Sequence, residues 1–316
     1  MPELVEVTCT ARLHMGFLDL AGSLGRRFGS IGMALDAPRT RLSLRRAETN
    51  RVRGAEQARA SRHLDALAVR LRVRDRHDLH VAEAIPEHSG LGSGTQLALA
   101  IAAALRRLHG LPLDPLADAE TLGRGRRSGI GIGLFRLGGL VVDGGVGRTG
   151  AIPPMLAQLD VPADWRILLV MDPAHRGLAG SDERAAFAGL EPMPAAVAAR
   201  LCRHVLMQVL PAVAEADLEG FGAGMGELQA LIGDYFAPIQ GGRFASRRVA
   251  AALAELAALG ATGIGQSSWG PAGFAFVRGD AAAGELREHL ARSRAAEGLD
   301  IQIARALNRG AAIIET

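Results

Sequence analysis

A glycine-rich segment, PEHSGLGSGTQ at residues 86–96, lies between a short run typical of a β-strand and an almost wholly apolar run typical of a buried helix. Its glycines let the backbone approach a ligand closely, and the start of a helix leaves amide N–H groups unpaired beside a positive dipole end. These features predict a phosphate or pyrophosphate site. The expected contributors are Ser89, Gly90, Leu91, Gly92, Ser93, Gly94 and Thr95. The alternative is a plain glycine-rich turn in which Ser93 or Thr95 caps the helix.

The chain contains no lysine, so all 36 basic side chains among its 316 residues are arginines. This composition excludes a lysine Schiff base, a pyridoxal-phosphate anchor and the lysine of a Walker A loop. Anions must therefore be held by guanidinium groups, backbone amides, hydroxyls or metal ions. A formal net charge of +3 and an aromatic content of 4% argue against a nucleic-acid partner, so we expect small-molecule chemistry.

The sequence does not predict a membrane or secreted protein. Residues 1–12 lack a basic leader followed by an apolar run, and no stretch reaches about 18 uninterrupted apolar residues. We therefore expect a cytoplasmic protein with no membrane partner. Cys9 and Cys202 match no metal-ligand or redox spacing and are expected to be two buried thiols.

Hydrophobic patterning predicts an α+β protein of about two domains rather than strict βαβ alternation. Strands are predicted at residues 4–10, 30–35, 40–44, 78–84, 165–171 and 299–304, the last of them final in the chain. Residues 264–278 contain strand-like runs separated by glycines, and a hairpin is predicted at 132–143. Helices are predicted at residues 55–72, 95–108, 114–123, 182–190, 194–210, 213–232, 244–259 and 281–294. Glycine and proline cluster at 144–154, which places a boundary between domains at 1–150 and 151–316.

Four ordered blocks of the sequence resemble one family. The segment PEHSGLGSGTQLALA is similar to the phosphate-binding motif of the GHMP superfamily. Together with residues 11–38, 123–145 and 263–276, it resembles the β-ribofuranosylaminobenzene 5'-phosphate synthase family. The resemblance implies a two-domain GHMP kinase-like fold, in which an N-terminal domain like ribosomal protein S5 domain 2 precedes a ferredoxin-like α/β C-terminal domain. It also implies an active site in the cleft between the domains.

The same resemblance implies a decarboxylating phosphoribosyl transfer. Phosphoribosyl pyrophosphate would condense with 4-aminobenzoate or 4-hydroxybenzoate to a C-riboside 5'-phosphate, releasing carbon dioxide and pyrophosphate, in tetrahydromethanopterin biosynthesis. Magnesium would be the cofactor and the protein a homodimer. The sequence leaves the choice between the amino and the hydroxyl acceptor open. Two alternatives remain, a GHMP-type ATP-dependent small-molecule kinase and a non-catalytic ligand-binding protein on the same fold.

The block at residues 11–38 carries the side chains that this resemblance places at the reacting centre. Asp19 would bind magnesium or face the cation that develops at the anomeric carbon. Arg12 and Arg26 would grip the 5'-phosphate or the benzoate carboxylate, and His14 would polarise the para substituent or bind phosphate. The structural alternatives are that Asp19 is a turn residue and that His14 is a satisfied structural side chain.

Magnesium would have three candidate ligands in this sequence: Asp19, Asp143 and the hydroxyl of Ser93. Asp143 ends an apolar strand-like run beside two glycines, where a carboxylate could reach into a site as a second metal ligand. A turn aspartate is an equally good interpretation of that position.

The block at residues 123–145 adds an arginine cluster. The cluster is either a phosphate clamp that faces the glycine-rich segment or a solvated surface run, and it consists of Arg124, Arg126, Arg127 and Ser128. Many GHMP kinases carry an aspartate base after a Ser-Gly pair in this block. Ile130 occupies that position here, which argues against phosphoryl transfer to an alcohol.

The block at residues 263–276 resembles the third GHMP motif, a glycine-rich loop that closes over the substrate. Gln266, Ser267 and Ser268 offer hydrogen bonds. Trp269 offers an apolar wall for an aromatic ring, although a buried structural tryptophan is the alternative. Arg176 lies in a further stretch similar to the family and is predicted to bind substrate.

Overall fold

The computed structural model describes residues 1–175, 177 and 189–316, which form two β-sheets and their covering helices. The strands are β1 (Leu4–Asp19), β2 (Phe28–Ala47), β3 (Arg51–Gly54), β4 (Arg76–Glu83), β5 (Leu140–Asp143), β6 (Met155–Leu159), β7 (Trp165–Met171), β8 (Thr262–Gln266), β9 (Gly273–Arg278), β10 (Asp300–Ala304) and β11 (Ala312–Glu315). The helices are α1 (Gln57–Leu71), α2 (Ser93–Leu108), α3 (Pro115–Thr121), α4 (Ile130–Leu137), α5 (Ala195–His204), α6 (Leu210–Ala214), α7 (Leu218–Gln240), α8 (Arg247–Ala258) and α9 (Asp280–Arg292). A π-helical turn at Val205–Val209 joins α5 to α6.

The first sheet follows the path β11-β1-β2-β4-β3, and β5 and β6 extend it from the beginning of β2. Along the first half of β1, Val5 and Val7 pack in a core with α1 and α2. The pairing of β1 with β2 shifts register between Thr10 and Arg12. Beyond that bulge, Leu13 and Met15 pack in a second core shared with the other sheet. The bulge therefore turns the second half of β1 towards the C-terminal half of the chain.

The second sheet has the strand order β10-β7-β9-β8, and each neighbouring pair is antiparallel. Every residue of β7 is buried because helices cover both faces of this sheet. Ile167 and Leu169 face the core that contains residues of α7, whereas Leu168 and Val170 face the core beneath α8 and α9. In chain order this is the 4-1-3-2 arrangement of a βαββαβ sheet, as the predicted ferredoxin-like domain requires.

The predicted hairpin at 132–143 is wrong in its first half, because residues 130–137 form the helix α4. Ile132 and Phe135 of this helix pack in the core beside α2, while Ile130 and Leu134 pack against the opposite side. Two apolar faces at helical spacing thus override the strand-like alternation of Ile and Gly. The predicted strands 30–35 and 40–44 are one continuous strand, β2. The short strands β3, β6 and β11 were not predicted. Because β11 follows β10, the prediction that residues 299–304 form the final strand is wrong.

The sheets divide the chain differently from the predicted boundary at residue 150. Both β6 and β11 belong to the first sheet, although they lie beyond that residue. Sheet membership alone does not define domains, so the division into units at 1–150 and 151–316 stays a prediction, whereas the α+β class is confirmed. Cys9 is buried as expected, but Cys202 is exposed on α5, so the expectation of two buried thiols is wrong for Cys202.

One helical stretch among the described residues, Ala195–Ala214, is long and apolar enough to cross a membrane by length and composition. A third of it (33%) is buried inside the fold. Core helices of soluble enzymes meet the same criterion, and the cytoplasmic location stays a prediction.

Candidate active site

A cavity of about 610 Å³, here called the outer cavity, opens where β1, the start of α2 and residues 123–128 meet. The predicted site residues that line it are Arg12, His14, Gly90, Gly92, Ser93, Gly94, Thr95, Arg124, Arg126 and Ser128. Arg127 and Ser268, which the sequence also indicated, line it as well. Three further lining residues, Phe17, Arg59 and His88, were not predicted. The fold thus gathers three blocks that are far apart in the sequence into one concave surface.

The start of α2 forms one wall of the outer cavity. Gly92 is the N-cap residue, with φ 84° and ψ 18°, a left-handed conformation that favours glycine. A Cβ atom at this position would lie 2.9 Å from Cγ of Arg12, so glycine also allows the arginine to approach. The Gly92 carbonyl accepts from the Thr95 amide at 3.2 Å. The amides of Ser93 and Gly94 precede the first intrahelical bonds at the positive dipole end, where phosphate oxygens bind.

Two members of the predicted phosphate segment shape it instead of lining the cavity. The Ser89 hydroxyl donates to the Pro86 carbonyl at 2.8 Å and closes a turn. Leu91 is fully buried, and its carbonyl accepts from the Arg12 amide at 3.0 Å. The Arg12 guanidinium returns to the segment, since its Nη1 donates to the Gly90 carbonyl at 3.0 Å. Arg12 is therefore fixed against the glycine-rich segment by both its backbone and its side chain.

Positive charge dominates the outer cavity. Five arginines line it, and within the described part of the chain no carboxylate does. Arg59 is partly balanced from outside the lining, by Glu56 and Glu87 at 2.8 Å each. Burial, and then the charge of Arg59, lowers the pKa of Arg124, which still remains a cation at neutral pH. A concave surface with this excess of guanidinium groups attracts a polyanion.

His14 stands at the inner end of the outer cavity with only 3% of its surface exposed. Its Nε2 has no hydrogen-bond partner among the described residues. Burial, and then the charge of Arg12, lowers the pKa of His14 to about 3, so its imidazole is neutral at physiological pH. Its ring packs against that of Phe17, with 4.5 Å between the centroids. A neutral ring nitrogen is thus available to a ligand at this point.

The loop after β8 closes the site from the second sheet. The Ser267 hydroxyl accepts from the His14 amide at 3.0 Å and donates to the Gly90 carbonyl at 2.8 Å. The Ser268 amide donates to the His14 carbonyl at 3.0 Å. Ser267 is fully buried, so the predicted substrate-binding residue joins the loop, β1 and the glycine-rich segment. Gly270 packs so closely on Gly90 that a Cβ atom at either position would collide with the other backbone.

A narrower pocket, here called the inner pocket, continues from the outer cavity. The two share His14, Phe17 and Ser268, which therefore form its mouth. Its walls are mostly apolar, and the rings of Phe236 and Trp269 lie 4.3 Å apart. The remaining lining residues are Gly16, Gln229, Ile232, Gly233, Gln240, Arg243 and Gln266.

Glutamine side chains tie the inner pocket to the surrounding elements. Gln229 of α7 donates to the Met15 carbonyl at 2.5 Å and accepts from the Gln266 amide at 2.8 Å. The Gln266 side chain accepts from the Ala245 amide at 2.6 Å and donates to Gln240 Oε1 at 3.3 Å. The predicted residues Gln266 and Trp269 therefore lie at the inner pocket and not at the outer cavity.

Asp143 is fully buried behind the outer cavity, and its carboxylate is occupied by the protein. One oxygen accepts from the Gly129 amide at 2.8 Å and from the Ser128 hydroxyl at 3.3 Å, and the other accepts from the Gly145 amide at 2.9 Å. Burial raises the pKa of Asp143, and the hydrogen bonds from Gly145 and Gly129 oppose that rise. This geometry orients Ser128 and the start of α4.

Asp19 and Arg26 lie at the end of β1 and in the turn that follows, and neither lines the outer cavity. The Asp19 carboxylate accepts from the amides of Ala21 and Gly22 at 2.9 and 2.8 Å, which is the arrangement of a turn aspartate. Arg26 donates to the carbonyls of two residues, Gly144 and Gly145, at 2.6 Å each. Asp19 and Arg26 therefore hold the turn between β1 and β2 at the edge of the first sheet, outside the outer cavity.

The described residues do not form a protein-held magnesium site. Asp19 caps a turn, Asp143 is saturated by amides, and Ser93 lines the cavity without a carboxylate beside it. No cluster of three or more His, Cys, Asp or Glu side chains suited to a metal occurs in the parts of the chain that the structure covers. Hydroxyl groups alone are poor ligands for this ion. Magnesium and its ligands stay predictions.

Arg176 lies outside the described residues. Four residues of the site were not predicted from the sequence: Phe17, Arg59, Gln229 and Phe236. Arg59 and Gln229 lie on helices whose sequences look like ordinary amphipathic surfaces, so only the packing of those helices against β1 and α2 reveals them. Phe17 could have been predicted from the sequence. It lies in the block at residues 11–38, and Trp269 already indicated contact with an aromatic ring.

The chain that builds this site matches a known class of protein. A model described as the GHMP kinases N terminal domain matches residues 58–134, and one described as GHMP kinases C terminal matches residues 209–296. A homoserine kinase from Cytophaga hutchinsonii is similar in structure with a TM-score of 0.68, at 17% identity over 99% of this chain and 98% of that chain. Mevalonate diphosphate decarboxylase from Staphylococcus aureus also gives 0.68, at 14% identity over 100% and 99%. The predicted two-domain GHMP kinase-like fold is confirmed.

Curated relatives define the family within that class. A beta-ribofuranosylphenol 5'-phosphate synthase from Archaeoglobus fulgidus is 35% identical over 240 residues, covering 72% of this chain and 76% of the relative. A protein of the same name from Methanothermobacter thermautotrophicus is 30% identical over 288 residues, covering 84% and 86%. The chain belongs to the beta-ribofuranosylphenol 5'-phosphate synthase family. The predicted family is thus confirmed, as is the prediction of an enzyme of the pentosyltransferase type.

Proposed function

We propose that the protein condenses phosphoribosyl pyrophosphate with 4-hydroxybenzoate, releasing carbon dioxide and pyrophosphate. The observation that carries this proposal is an arginine-lined outer cavity that joins an aromatic-walled inner pocket at one buried, neutral histidine, His14. The outer cavity, with a volume of about 610 Å³, suits a substrate with several phosphate groups and leaves room for a small aromatic ring beside them. The inner pocket, with a volume of about 30 Å³, adds an apolar wall next to that space. The relatives' name contains a phenol, which favours a hydroxyl over an amino group on the acceptor.

The phosphate groups would be held without lysine. The amides of Ser93 and Gly94 and the guanidinium groups of Arg12 and Arg124 line one region, since the Arg124 guanidinium lies against Gly94. The Arg12 guanidinium is fixed before the substrate arrives, because it already donates to the Gly90 carbonyl. Fixed donors stabilise the charge that develops on a leaving pyrophosphate, and removal of one such donor typically costs a factor of about 10² to 10³ in kcat.

The proposed reaction exchanges two bonds at two carbons. The bond from the anomeric carbon to the pyrophosphate oxygen breaks, and the leaving group keeps the electron pair. The ring carbon that bears the carboxylate then forms a bond to the anomeric carbon. Loss of carbon dioxide returns the electron pair of its bond to the ring and restores aromaticity, so no base has to remove a proton from that carbon.

The side chains at the mouth of the inner pocket suit this sequence of events. His14 is uncharged and does not repel a cation at the anomeric carbon, as an imidazolium would. Phe17 at the mouth is 6% exposed, and Trp269 behind it is 4% exposed, so this side of the site is apolar and closed to water. Ile130 stands where many GHMP kinases have an aspartate, and the outer cavity has no carboxylate lining it within the described residues.

The experiment incubates the purified protein with magnesium, phosphoribosyl pyrophosphate and carboxyl-labelled 4-hydroxybenzoate or 4-aminobenzoate. We expect labelled carbon dioxide and pyrophosphate in equal amounts, and faster release with the hydroxyl acceptor. ATP in place of phosphoribosyl pyrophosphate is the control for a kinase. Release of neither product, with ATP consumed or merely bound, would overturn the proposal. The pathway, the magnesium ion, the homodimer and the cytoplasmic location remain proposals beside it.

A further inference from the structure

The positive charge of the outer cavity is divided between two regions, each beside a different buried histidine. Burial, and then the charge of Arg12, lowers the pKa of His14 to about 3. A second histidine, His63 of α1, is buried outside the cavity lining. Burial, and then the charges of Arg124 and Arg59, lowers its pKa to about 4. Arg59 and Arg124 therefore form a group of their own, apart from the His14 end of the cavity.

Arg124 lies against the positive end of α2 with no carboxylate to balance it. A Cβ atom at Gly94 would be 3.1 Å from Nη1 of Arg124. The Nε atom of Arg124 is buried and has no hydrogen-bond partner among the described residues. Burial, and then the charge of Arg59, lowers its pKa, and no carboxylate opposes them. A guanidinium placed beside a helix N-terminus and a second guanidinium is unfavourable until an anion joins them.

Arg59 completes the group from α1, and two carboxylates set its position. Its Nη1 lies 2.8 Å from Glu87, and its Nη2 lies 2.8 Å from Glu56. Neither acid lines the outer cavity, so Arg59 is held from outside it. The Nε atom of Arg59 is buried without a hydrogen-bond partner in the described part of the chain. Since a guanidinium carries five N–H donors, Arg59 keeps donors for a ligand in the cavity.

The start of α2 orders the arginines along the cavity. Arg12 lies against Gly92 and acts on His14, whereas Arg124 lies against Gly94. The proposed reaction breaks a bond at the anomeric carbon beside His14, so the phosphate attached to that carbon lies near Arg12. The second phosphate of a pyrophosphate group then extends along the helix start to Arg124 and the Gly94 amide.

We propose that Arg59 and Arg124 form a subsite for the terminal phosphate of the pyrophosphate group, and that Glu56 and Glu87 position Arg59 for it. This inference rests on the proposed function and adds to it a substrate-binding residue, Arg59, and two positioning residues. A leaving pyrophosphate gains negative charge, and fixed cations stabilise that gain. Because Arg124 has no carboxylate partner among the described residues, its charge is available to the leaving group.

The subsite is tested by titration calorimetry with two probes, inorganic pyrophosphate and phosphoribosyl pyrophosphate, at constant ionic strength and magnesium concentration. Arg59→Gln should weaken the binding of both roughly 10- to 100-fold, the range for one charged hydrogen bond. The matched control is Arg62→Gln, which removes the same charge from the same helix. Arg62 is exposed and does not line the cavity, so both probes should bind this variant as they bind the wild type.

Arg124→Met separates ligand binding from a structural role. Methionine keeps an apolar stem and removes the unbalanced charge, so the ligand-free variant should be at least as stable in urea as the wild type. Pyrophosphate at about ten times its wild-type Kd should raise the free energy of unfolding of the wild type, and that rise should fall to less than about half in the variant. A variant that is less stable without ligand and keeps the full rise would overturn the subsite.

Two further results would overturn the inference while the proposed function stands. The first is release of carbon dioxide and pyrophosphate by Arg59→Gln with the wild-type KM for phosphoribosyl pyrophosphate. The second is weaker binding of phosphoribosyl pyrophosphate alone, with pyrophosphate unaffected, which would place Arg59 at the 5'-phosphate. A wild-type protein that binds neither probe and releases no carbon dioxide would instead refute the proposed function and, with it, this inference.

Discussion

The phosphate-binding assignment is tested most sharply at Gly92, where two separate constraints meet. Gly92→Ala adds a Cβ atom to a residue at φ 84°, which strains the backbone by roughly 1–2 kcal/mol. The same atom would lie 2.9 Å from Cγ, 3.0 Å from Nε and 3.1 Å from Cζ of Arg12, so the guanidinium has to move. A charged hydrogen bond is worth roughly 1.5–3 kcal/mol. Its loss corresponds to roughly 10- to 100-fold weaker binding of phosphoribosyl pyrophosphate.

A matched control separates backbone strain from displacement of Arg12. Gly260 also has a left-handed conformation, φ 93°, but a Cβ atom there meets nothing within 4 Å. Both Gly92→Ala and Gly260→Ala should lose roughly 1–2 kcal/mol in urea unfolding. Only Gly92→Ala should bind phosphoribosyl pyrophosphate more weakly, as measured by titration calorimetry at constant ionic strength. If the folded Gly92→Ala variant binds within twofold of the wild type, the reasoning about this segment is wrong.

Three further perturbations distinguish structural from chemical roles elsewhere. Asp143→Asn replaces a carboxylate that accepts hydrogen bonds from two backbone amides, so the free energy of unfolding should fall by about 1–3 kcal/mol. The magnesium concentration for half-maximal activity should stay the same. A shift in that concentration would identify Asp143 as a metal ligand. Asp118→Asn leaves the buried Arg106 without its partner at 2.8 Å and should cost about 3–5 kcal/mol in urea unfolding, whereas a loss below about 1 kcal/mol would contradict a buried pair. Since the pKa of His14 is lowered to about 3 from 6.5, its contribution to stability is complete above about pH 6.5 and is lost as the pH falls towards 3. The free energy of unfolding should therefore fall more steeply below pH 6.5 in the wild type than in His14→Gln, by at most about 1.4 kcal/mol per pH unit, and parallel pH profiles would refute this.

The elements with strong local signals were predictable, and those that depend on distant partners were not. The apolar run of α2 and the buried strand β7 follow from composition, because both are covered on most sides. The helix α4 was predicted as a strand because its Ile-Gly alternation hides the two apolar faces that packing reveals. The short strand β11 pairs with β1 from the opposite end of the chain, and no local pattern of four residues encodes such a partner.

The candidate site divides in the same way. Glycines, hydroxyls and arginines at residues 86–96 and 123–128 signalled an anion site through residue type alone, and they line one cavity. Carboxylates carry no such signal, because a metal ligand and a residue that organises a turn look identical in a sequence. The carboxylates of Asp19 and Asp143 accept hydrogen bonds from backbone amides, and these bonds depend on the path of the chain after each strand.

Burial of one side chain has two effects at the point where the outer cavity and the inner pocket meet. His14 is neutral because water is excluded around it and because arginines surround it. The same exclusion of water would protect a ribosyl cation from hydrolysis until the aromatic ring reaches it. A solvated histidine at this position would fail on both counts, since it would be partly protonated near pH 6.5 and would admit water to the reacting carbon. The dry environment of His14 is therefore a requirement of the proposed chemistry, and the buried hydrogen bonds of Ser267 to β1 and Gly90 maintain it.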